Sequence, residues 1–107
     1  MITEIHNNEQ FDSEIINHKG YSLIDFWATW CGPCRMMAPV MENAEKVLGD
    51  KVNFCKVDVD EMQDLAGQFD IMSIPTIVLF KDGQEVNRMI GAIPQEEFIN
   101  QLEAMMQ

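Results

Sequence analysis

The sequence predicts an α/β fold in which a central mixed β-sheet of about five strands is flanked by about four helices on both faces. Strand-like apolar runs alternate with segments of helical periodicity in the order βαβαβαββα, which is typical of a largely parallel sheet. An Asp82-Gly83 pair lies between the last two runs and is a strong hairpin signal, so the final pairing should be antiparallel. With 107 residues, of which 47% are hydrophobic, the chain is predicted to form a single domain over residues 1–107.

The first half of the chain is predicted to contain two strands and two helices. Residues 2–5 form a short first strand, and Asn7 or Asn8 can cap the helix that follows and stops at Lys19-Gly20. A nearly continuous apolar run over residues 21–28 predicts a strand that is covered on both faces. The apolar positions of the first helix are Phe11, Ile15 and Ile16.

The second helix follows this strand directly and ends at Gly49-Asp50. Pro39 lies inside it, and we expect a kink there because proline removes one backbone hydrogen bond and its ring clashes with the preceding turn. The apolar positions that keep helical spacing are Met37, Val40, Met41, Ala44, Val47 and Leu48.

The second half of the chain is predicted to contain three strands and two helices. A strand over residues 52–59 is followed by an amphipathic helix over 61–70 and by a core strand over 76–80. The hairpin then leads to a strand over 85–90, and Pro94 with two nearby glutamates opens the last helix. The apolar face of that helix consists of Phe98, Ile99, Leu102, Met105 and Met106.

The charge balance narrows the choice of partners. Eighteen acidic residues against seven basic ones give a net charge of −11, which argues against nucleic acid or an anionic membrane surface. No apolar stretch approaches the about 18 residues that a membrane span needs. The N-terminal residues also lack the basic region and apolar run of a signal peptide, so we expect a cytoplasmic location.

The cysteines provide the strongest chemical signal. Cys31 and Cys34 lie where the second strand ends and a helix begins, and helix N-termini stabilise thiolates. This spacing predicts a redox site in which Cys31, at the helix start, is the nucleophile and Cys34, one turn deeper, resolves the mixed disulfide. Pro33 suits the first helical turn, and Gly32 keeps bulk away from an approaching substrate. The remaining cysteine, Cys55, is interpreted as an inert buried thiol.

Two other interpretations of the cysteine pair are less favoured. An inert structural disulfide is one of them. A zinc site is the other, but tetrahedral zinc needs four ligands. The chain offers a single Cys-x-x-Cys pair, and its two histidines, His6 and His18, lie near the N-terminus in other elements. No metal site is therefore predicted.

The segment over residues 25–34, which ends in Trp-Cys-Gly-Pro-Cys, resembles the active-site signature of thioredoxins. Ile74-Pro75-Thr76, Lys81-Asp82-Gly83 and Gly91 stand at the distances that this family shows, so the resemblance covers essentially the whole chain. It implies a thioredoxin fold and a general protein-disulfide reductase that serves electron transport and cell redox homeostasis. It implies no cofactor beyond the redox-active disulfide, and a monomer is the default expectation. A thioredoxin reductase linked to NADPH or ferredoxin would return it to the dithiol form, and disulfide-containing proteins would be its substrates.

Asp25 stands in the middle of an apolar strand, where burial should raise the pKa of its carboxyl group. The resemblance implies that this carboxylate lies behind Cys34 and assists its deprotonation. Lys56 is similar to the family's lysine partner of that carboxylate, although an ordinary snorkelling lysine is an equally good interpretation. Trp27 is interpreted equally as a core residue or as support for the site.

The resemblance also implies a substrate groove. The bond between Ile74 and Pro75 would be cis, with the proline against the two sulfurs and the Ile74 backbone available to an extended substrate. Trp30, Gly91 and Ala92 would complete the groove. Met72 departs from the family's usual basic residue and Asp70 from a common glycine, so we expect a rim that is more apolar and more acidic than usual.

Two alternative functions remain open. A folding oxidant or isomerase would use the same chemistry, but oxidising relatives usually carry a histidine between the cysteines where this chain has Gly-Pro. A non-catalytic docking module would use the same apolar groove without any thiol exchange. Replacing both cysteines with serine would separate the docking module from the enzyme, because binding would survive and exchange would not.

Overall fold

The computed structural model describes every residue from Met1 to Gln107 and has the predicted order of elements. The five strands are β1 (Thr3–Glu4), β2 (Tyr21–Trp27), β3 (Val52–Asp58), β4 (Thr76–Lys81) and β5 (Gln84–Ile90). The α-helices are α1 (Asn8–Phe11), α2 (Gly32–Leu48), α3 (Gln63–Gln68) and α4 (Gln95–Met105), and a π-helical turn over Asp12–Ile16 continues α1. None of these helices has the length and hydrophobicity that a membrane span requires.

The five strands form one mixed sheet in the order β1-β3-β2-β4-β5. Strands β1, β3 and β2 are parallel, whereas β4 runs antiparallel to β2 and β5 antiparallel to β4. Strand β2 therefore lies at the centre, which explains its nearly continuous apolar sequence. At the middle of β2, Asp25 is paired with Lys56 of β3 on one side and with Ile77 of β4 on the other.

Helices cover both faces of the sheet, and the side chains of β2 alternate between them. Ile24 and Phe26 belong to one buried cluster, and Leu23 belongs to the other. The first cluster contains side chains of α1 and α3, among them Phe11 and Leu65. The second contains side chains of α2 and α4, including Met37, Met41, Phe98 and Leu102. Because of this alternation, Asp25 lies on the α2 face together with Leu23.

The predicted hairpin joins β4 to β5 through Asp82 and Gly83 alone. Both residues have positive φ, 51° and 82°, as a type I′ turn requires. A side chain on Gly83 would run into the backbone of Ile16, so glycine is needed here for the close approach as well as for the turn.

Several boundaries differ from the sequence prediction. Strand β1 has two residues rather than the four predicted, and α3 is shorter at both ends than the predicted span over 61–70. Helix α3 ends early because Asp70 takes a left-handed backbone conformation with φ of 53°. Val47 and Ile16, which fitted the apolar faces of their helices, are largely exposed. Helix α2 continues through Pro39, an exposed residue, to Leu48.

Candidate active site

Cys31 and Cys34 form a disulfide at the junction between β2 and α2, with 5.2 Å between their Cα atoms. Cys31 is the N-cap residue of α2, and its Sγ accepts a hydrogen bond of 3.2 Å from the backbone N–H of Cys34. Pro33 occupies the first turn, where its missing N–H leaves no bond unmade. The Cys31 sulfur is therefore held where unpaired N–H groups and the helix dipole favour negative charge.

The two cysteines do not differ in exposure. Each is 5% exposed in this disulfide form, so exposure does not distinguish the residue at the helix start from the residue one turn deeper. The sulfur of Cys31 lies 3.7 Å from the carbonyl oxygen of Ile74, and the side chains of Ile74 and Val59 pack against the cysteine pair. These neighbours pack against the cysteine pair. The two cysteines differ instead in the space that each borders, on opposite sides of the disulfide.

Cys31 borders an open groove of about 500 Å³ on the outer side of the disulfide. Two large apolar side chains at this groove are strongly exposed, Met72 at 93% and Trp30 at 65%. The indole N–H of Trp30 donates a 2.7 Å hydrogen bond to the carboxylate of Asp60, which fixes the ring at the groove edge. The lining residues are Trp30, Cys31, Gly32, Pro33, Val59, Ile71, Met72, Ser73 and Ile74.

The segment that ends at Pro75 forms the opposite wall of this groove. The bond between Ile74 and Pro75 is cis, and Pro75 is buried. The backbone N–H of Gly91 donates to the Pro75 carbonyl at 2.8 Å, so Gly91 lies next to the proline. Gly91 and the exposed Ala92 do not line the groove itself, and their contact with a substrate stays a prediction.

Cys34 borders a much smaller cavity of about 90 Å³ on the inner side, and Asp25 and Lys56 line the same cavity. Asp25 is only 4% exposed, and burial raises the pKa of its carboxyl group to about 6, while the positive charge of Lys56 acts in the opposite direction. One of its carboxyl oxygens, Oδ1, has no hydrogen-bond partner. The complete lining is Asp25, Trp27, Ala28, Thr29, Cys34, Arg35, Ala38 and Lys56.

Trp27 and Lys56 form a pair beside this cavity. The Lys56 ammonium lies 4.5 Å from the centroid of the Trp27 ring, within the range of a cation–π interaction. Trp27 is half-buried and packs against the cluster formed by Ala28 and the two cysteines. Trp27 thus contacts the cysteine cluster, and Lys56 both lies over the tryptophan ring and acts electrostatically on Asp25.

Four residues of the groove region were not predicted from the sequence: Val59, Asp60, Ile71 and Ser73. For Val59 and Asp60 a signal existed, because they follow β3, and the carboxyl ends of parallel neighbours such as β2 and β3 meet at the same edge of a sheet. No group of three or more His, Cys, Asp or Glu side chains is arranged to hold a metal ion.

Cys55 lies away from the site and is fully buried, as its strand position predicted. Burial, together with the nearby negative charge of Glu14, raises the pKa of the Cys55 thiol to about 12. Because the thiolate is the reactive form, this cysteine is chemically inert near neutral pH.

Comparison with known proteins agrees with this geometry. The thioredoxin family model matches residues 2–104. The thioredoxin of Staphylococcus saprophyticus is 45% identical over 96 residues, which cover 90% of each chain. The thioredoxin of Bacillus subtilis is 46% identical over 89 residues, or 83% of this chain and 84% of that protein.

Among solved structures, the thioredoxin of Malassezia sympodialis superimposes with a TM-score of 0.89 at 37% identity, covering all of this chain and 92% of its own. The mixed sheet with helices on both faces is thus the thioredoxin fold. The paired sulfurs at the helix start have the geometry that dithiol–disulfide exchange requires. The chain belongs to the thioredoxin family and is a thiol–disulfide oxidoreductase of the protein-disulfide reductase class.

Proposed function

We propose that this protein reduces protein disulfides in two steps, with Cys31 as the nucleophile and Cys34 as the resolving thiol. The observation that carries the proposal is the contrast between the two sides of the disulfide. Cys31 caps a helix and borders an open groove of about 500 Å³, whereas Cys34 borders a much smaller cavity of about 90 Å³ that is lined by a buried carboxylate. A bulky substrate can approach the first side, and proton transfer is favoured at the second.

In the first step, the Cys31 thiolate attacks one sulfur of the target disulfide. A mixed disulfide forms, and the other target sulfur leaves as a thiolate that takes a proton from solvent. In the second step, the Cys34 thiol loses its proton to the carboxylate of Asp25 and attacks Cys31 Sγ. The Cys31–Cys34 disulfide forms, and the second target sulfur leaves, so two electrons have passed to the substrate.

Asp25 is suited to this proton transfer because of its burial. With a pKa raised to about 6, the carboxylate is ionised at neutral pH but accepts a proton far more readily than an exposed aspartate does. Lys56 moderates this effect, since its positive charge favours the ionised carboxylate. Trp27 supports the arrangement by holding the lysine beside the cavity.

The outer groove binds the substrate around its disulfide. An extended segment would hydrogen-bond to the backbone at Ile74, in the manner of strand addition, with Pro75 beneath the sulfurs. The exposed side chains of Trp30 and Met72 would cover apolar residues of the substrate, and Gly91 with Ala92 would extend the surface beyond the groove. Gly32 and Pro33 would leave the approach to Cys31 free of bulk.

We further propose that residues 1–107 act as one thioredoxin domain, monomeric and cytoplasmic. The only redox group it uses would be its cysteine pair, and its partners would be disulfide-containing proteins. No nucleotide-binding glycine motif occurs in the sequence, so electrons would come from a thioredoxin reductase that draws on NADPH or ferredoxin. The net charge of −11 disfavours nucleic acid and membrane surfaces as partners.

The reduction potential of the Cys31–Cys34 pair tests this proposal. The protein is equilibrated in defined thiol buffers, alkylated, and the two forms are counted by mass. We expect a value well below the glutathione poise of the cytosol, and each 30 mV corresponds to about 1.4 kcal/mol for a two-electron couple. A value well above that poise would make the chain an oxidant or isomerase. Failure of the sulfurs to interconvert would leave only a docking module.

A further inference from the structure

One wall of the substrate groove is a connecting segment without regular secondary structure. The segment runs over residues 69–75 between α3 and β4, and it carries Ile71, Met72, Ser73 and Ile74 of the groove lining. Its end next to β4 is held by the buried Thr76, whose hydroxyl donates a 2.6 Å hydrogen bond to the Ser73 carbonyl. The position of the wall therefore depends on how its other end, beside α3, is fixed.

The end beside α3 is an unusual helix terminus. The N–H of Asp70 bonds to the Gly67 carbonyl and the N–H of Ile71 to the Ala66 carbonyl, which is the pattern of a Schellman motif. Glycine normally occupies the left-handed position of this motif, but here it is Asp70, with φ of 53°. A residue with a Cβ atom is disfavoured in this conformation, so the turn needs support from its surroundings.

Arg88 of the edge strand β5 provides a contact at this point. Its guanidinium Nη2 donates a 3.0 Å hydrogen bond to the carbonyl of Phe69, the residue just before the left-handed turn. Two further bonds, of 2.7 and 2.8 Å, run from Nε and Nη2 to the carboxylate of Glu85 and orient the guanidinium. The negative charges of Glu85 and Asp70 both raise the pKa of Arg88. The charged guanidinium is therefore stabilised by Glu85 on its own strand and by Asp70 at the end of α3.

We propose that Arg88 is a positioning residue: by holding the Phe69 carbonyl, it fixes the wall over residues 69–74 and so sets the affinity for protein substrates. This inference rests on the proposed function of the groove. Arg88 itself does not line the groove or the cavity beside Cys34. Its loss should therefore weaken substrate binding and leave the chemistry of the cysteine pair unchanged.

The test compares R88A with K81A, which removes the same charge at the far end of β4. Each protein is pre-reduced and mixed with increasing insulin, and the single-turnover rates give a half-saturating concentration and a limiting rate. For R88A we expect a half-saturating concentration about five-fold higher and a limiting rate within about two-fold of the wild type. The rate of R88A with dithiobis(nitrobenzoate), a small disulfide that needs no groove wall, should equal that of the wild type. K81A should match the wild type with both substrates.

Two further variants separate positioning from general damage. R88K keeps the positive charge but lacks the planar guanidinium that bonds Glu85 and Phe69 at the same time. Its half-saturating concentration should therefore lie nearer to that of R88A than to that of the wild type. In the double variant D70G/R88A, glycine takes positive φ without strain, and the half-saturating concentration should return to within about two-fold of the wild type.

The outcomes that overturn the inference are distinct from those that overturn the proposed function. Insulin kinetics of R88A equal to those of K81A would refute the positioning role alone. A loss of rate for R88A with dithiobis(nitrobenzoate) as large as its loss with insulin would also refute it, because the defect would then lie in the cysteine pair or in the fold. A wild-type protein that fails to reduce insulin would refute the proposed function and this inference together.

Discussion

The two sides of the Cys31–Cys34 disulfide differ in nearly every physical property. The outer side is an open groove of about 500 Å³ with exposed apolar side chains, and the inner side is a cavity of about 90 Å³ beside a buried carboxylate. As residues, Cys31 and Cys34 are equally buried. The proposed roles of the two thiols therefore rest on their different neighbours and not on different exposure of the two residues.

The arrangement follows from where the cysteines stand on the helix. Cys31 is the cap and Cys34 lies in the first turn, so one sulfur faces the loops at the carboxyl ends of the strands and the other faces the middle of β2. The groove side favours substrate access and a stabilised thiolate, and the inner side favours proton transfer. The two sides should therefore contribute separately, and changes on one side should leave the properties of the other unchanged.

The largest effect, on the rate of protein-disulfide reduction, is expected from substituting either active-site cysteine. Cys31→Ser removes the nucleophile, so protein-disulfide reduction should fall by at least about a thousand-fold and no mixed disulfide should form. Cys34→Ser keeps the nucleophile but removes the resolving thiol, so turnover should also stop, yet the protein should accumulate in covalent complex with its substrate. Mass spectrometry after incubation of each pre-reduced variant with insulin measures both results.

Cys55→Ser is the matched control for the loss of a thiol. It should retain exchange, because the Cys55 thiol is buried and its pKa is raised to about 12. A stable complex with Cys31→Ser and none with Cys34→Ser would reverse the assigned roles and would contradict the assignment of the groove to the attacking sulfur.

The second-largest effect is expected from Asp25, on the inner side of the disulfide, and it appears in the pH dependence of the free energy of unfolding. The pKa of Asp25 is about 6 in the folded protein against 3.8 for an unperturbed carboxyl, so the folded state holds the proton more tightly. The contribution of Asp25 to the free energy of unfolding is then largest below about pH 4, falls between about pH 4 and pH 6, and stays at its lowest value above that range. Asp25→Asn mimics the protonated carboxyl, so it should gain on the order of 3 kcal/mol at about pH 8 and nothing below about pH 4.

Urea unfolding of the oxidised protein at both pH values measures this difference. Asp50→Asn, at an exposed position after α2, is the control for the loss of one negative charge and should gain little at either pH. A gain for Asp25→Asn that is equal at both pH values would show that ionisation of Asp25 does not destabilise the fold. The same variant should slow release of the mixed disulfide, since Cys34 would lose its proton acceptor.

Features of the sequence that depend on local periodicity were predictable. The order of elements and the Asp82-Gly83 hairpin are confirmed because they depend mainly on neighbouring residues, and the mixed sheet is confirmed because it follows from the alternation of strands and helices along the chain. The packing of Ile74 against Cys31 was implied only by the family resemblance and not by local periodicity, since it depends on how the segment before β4 packs across the helix start. Arg88 was missed for the same reason: its partner Phe69 lies nineteen residues away in another element.

The smallest effect distinguishes the two interpretations of Lys56. Lys56→Met keeps an apolar stem beside Trp27 but removes the charge that lowers the pKa of Asp25. The pKa of Asp25 should therefore rise above about 6, the pH range over which its contribution to stability falls should extend further upward from about 4, and stability at neutral pH should decrease by less than roughly 1 kcal/mol. Titration of the Asp25 carboxyl carbon by NMR measures the pKa directly.

Lys51→Met is the matched control, because Lys51 is exposed just before the strand that carries Lys56 and its loss changes the net charge equally. It should leave the Asp25 titration where it is. If Lys56→Met also leaves that titration unmoved, Lys56 acts only as a cover for Trp27, and the inner side of the disulfide relies on burial alone to raise the pKa of its carboxyl group. If the titration moves, the ionisation of Asp25 reflects a balance between burial and a lysine on the neighbouring strand, and the inner side can be tuned without any change to the groove.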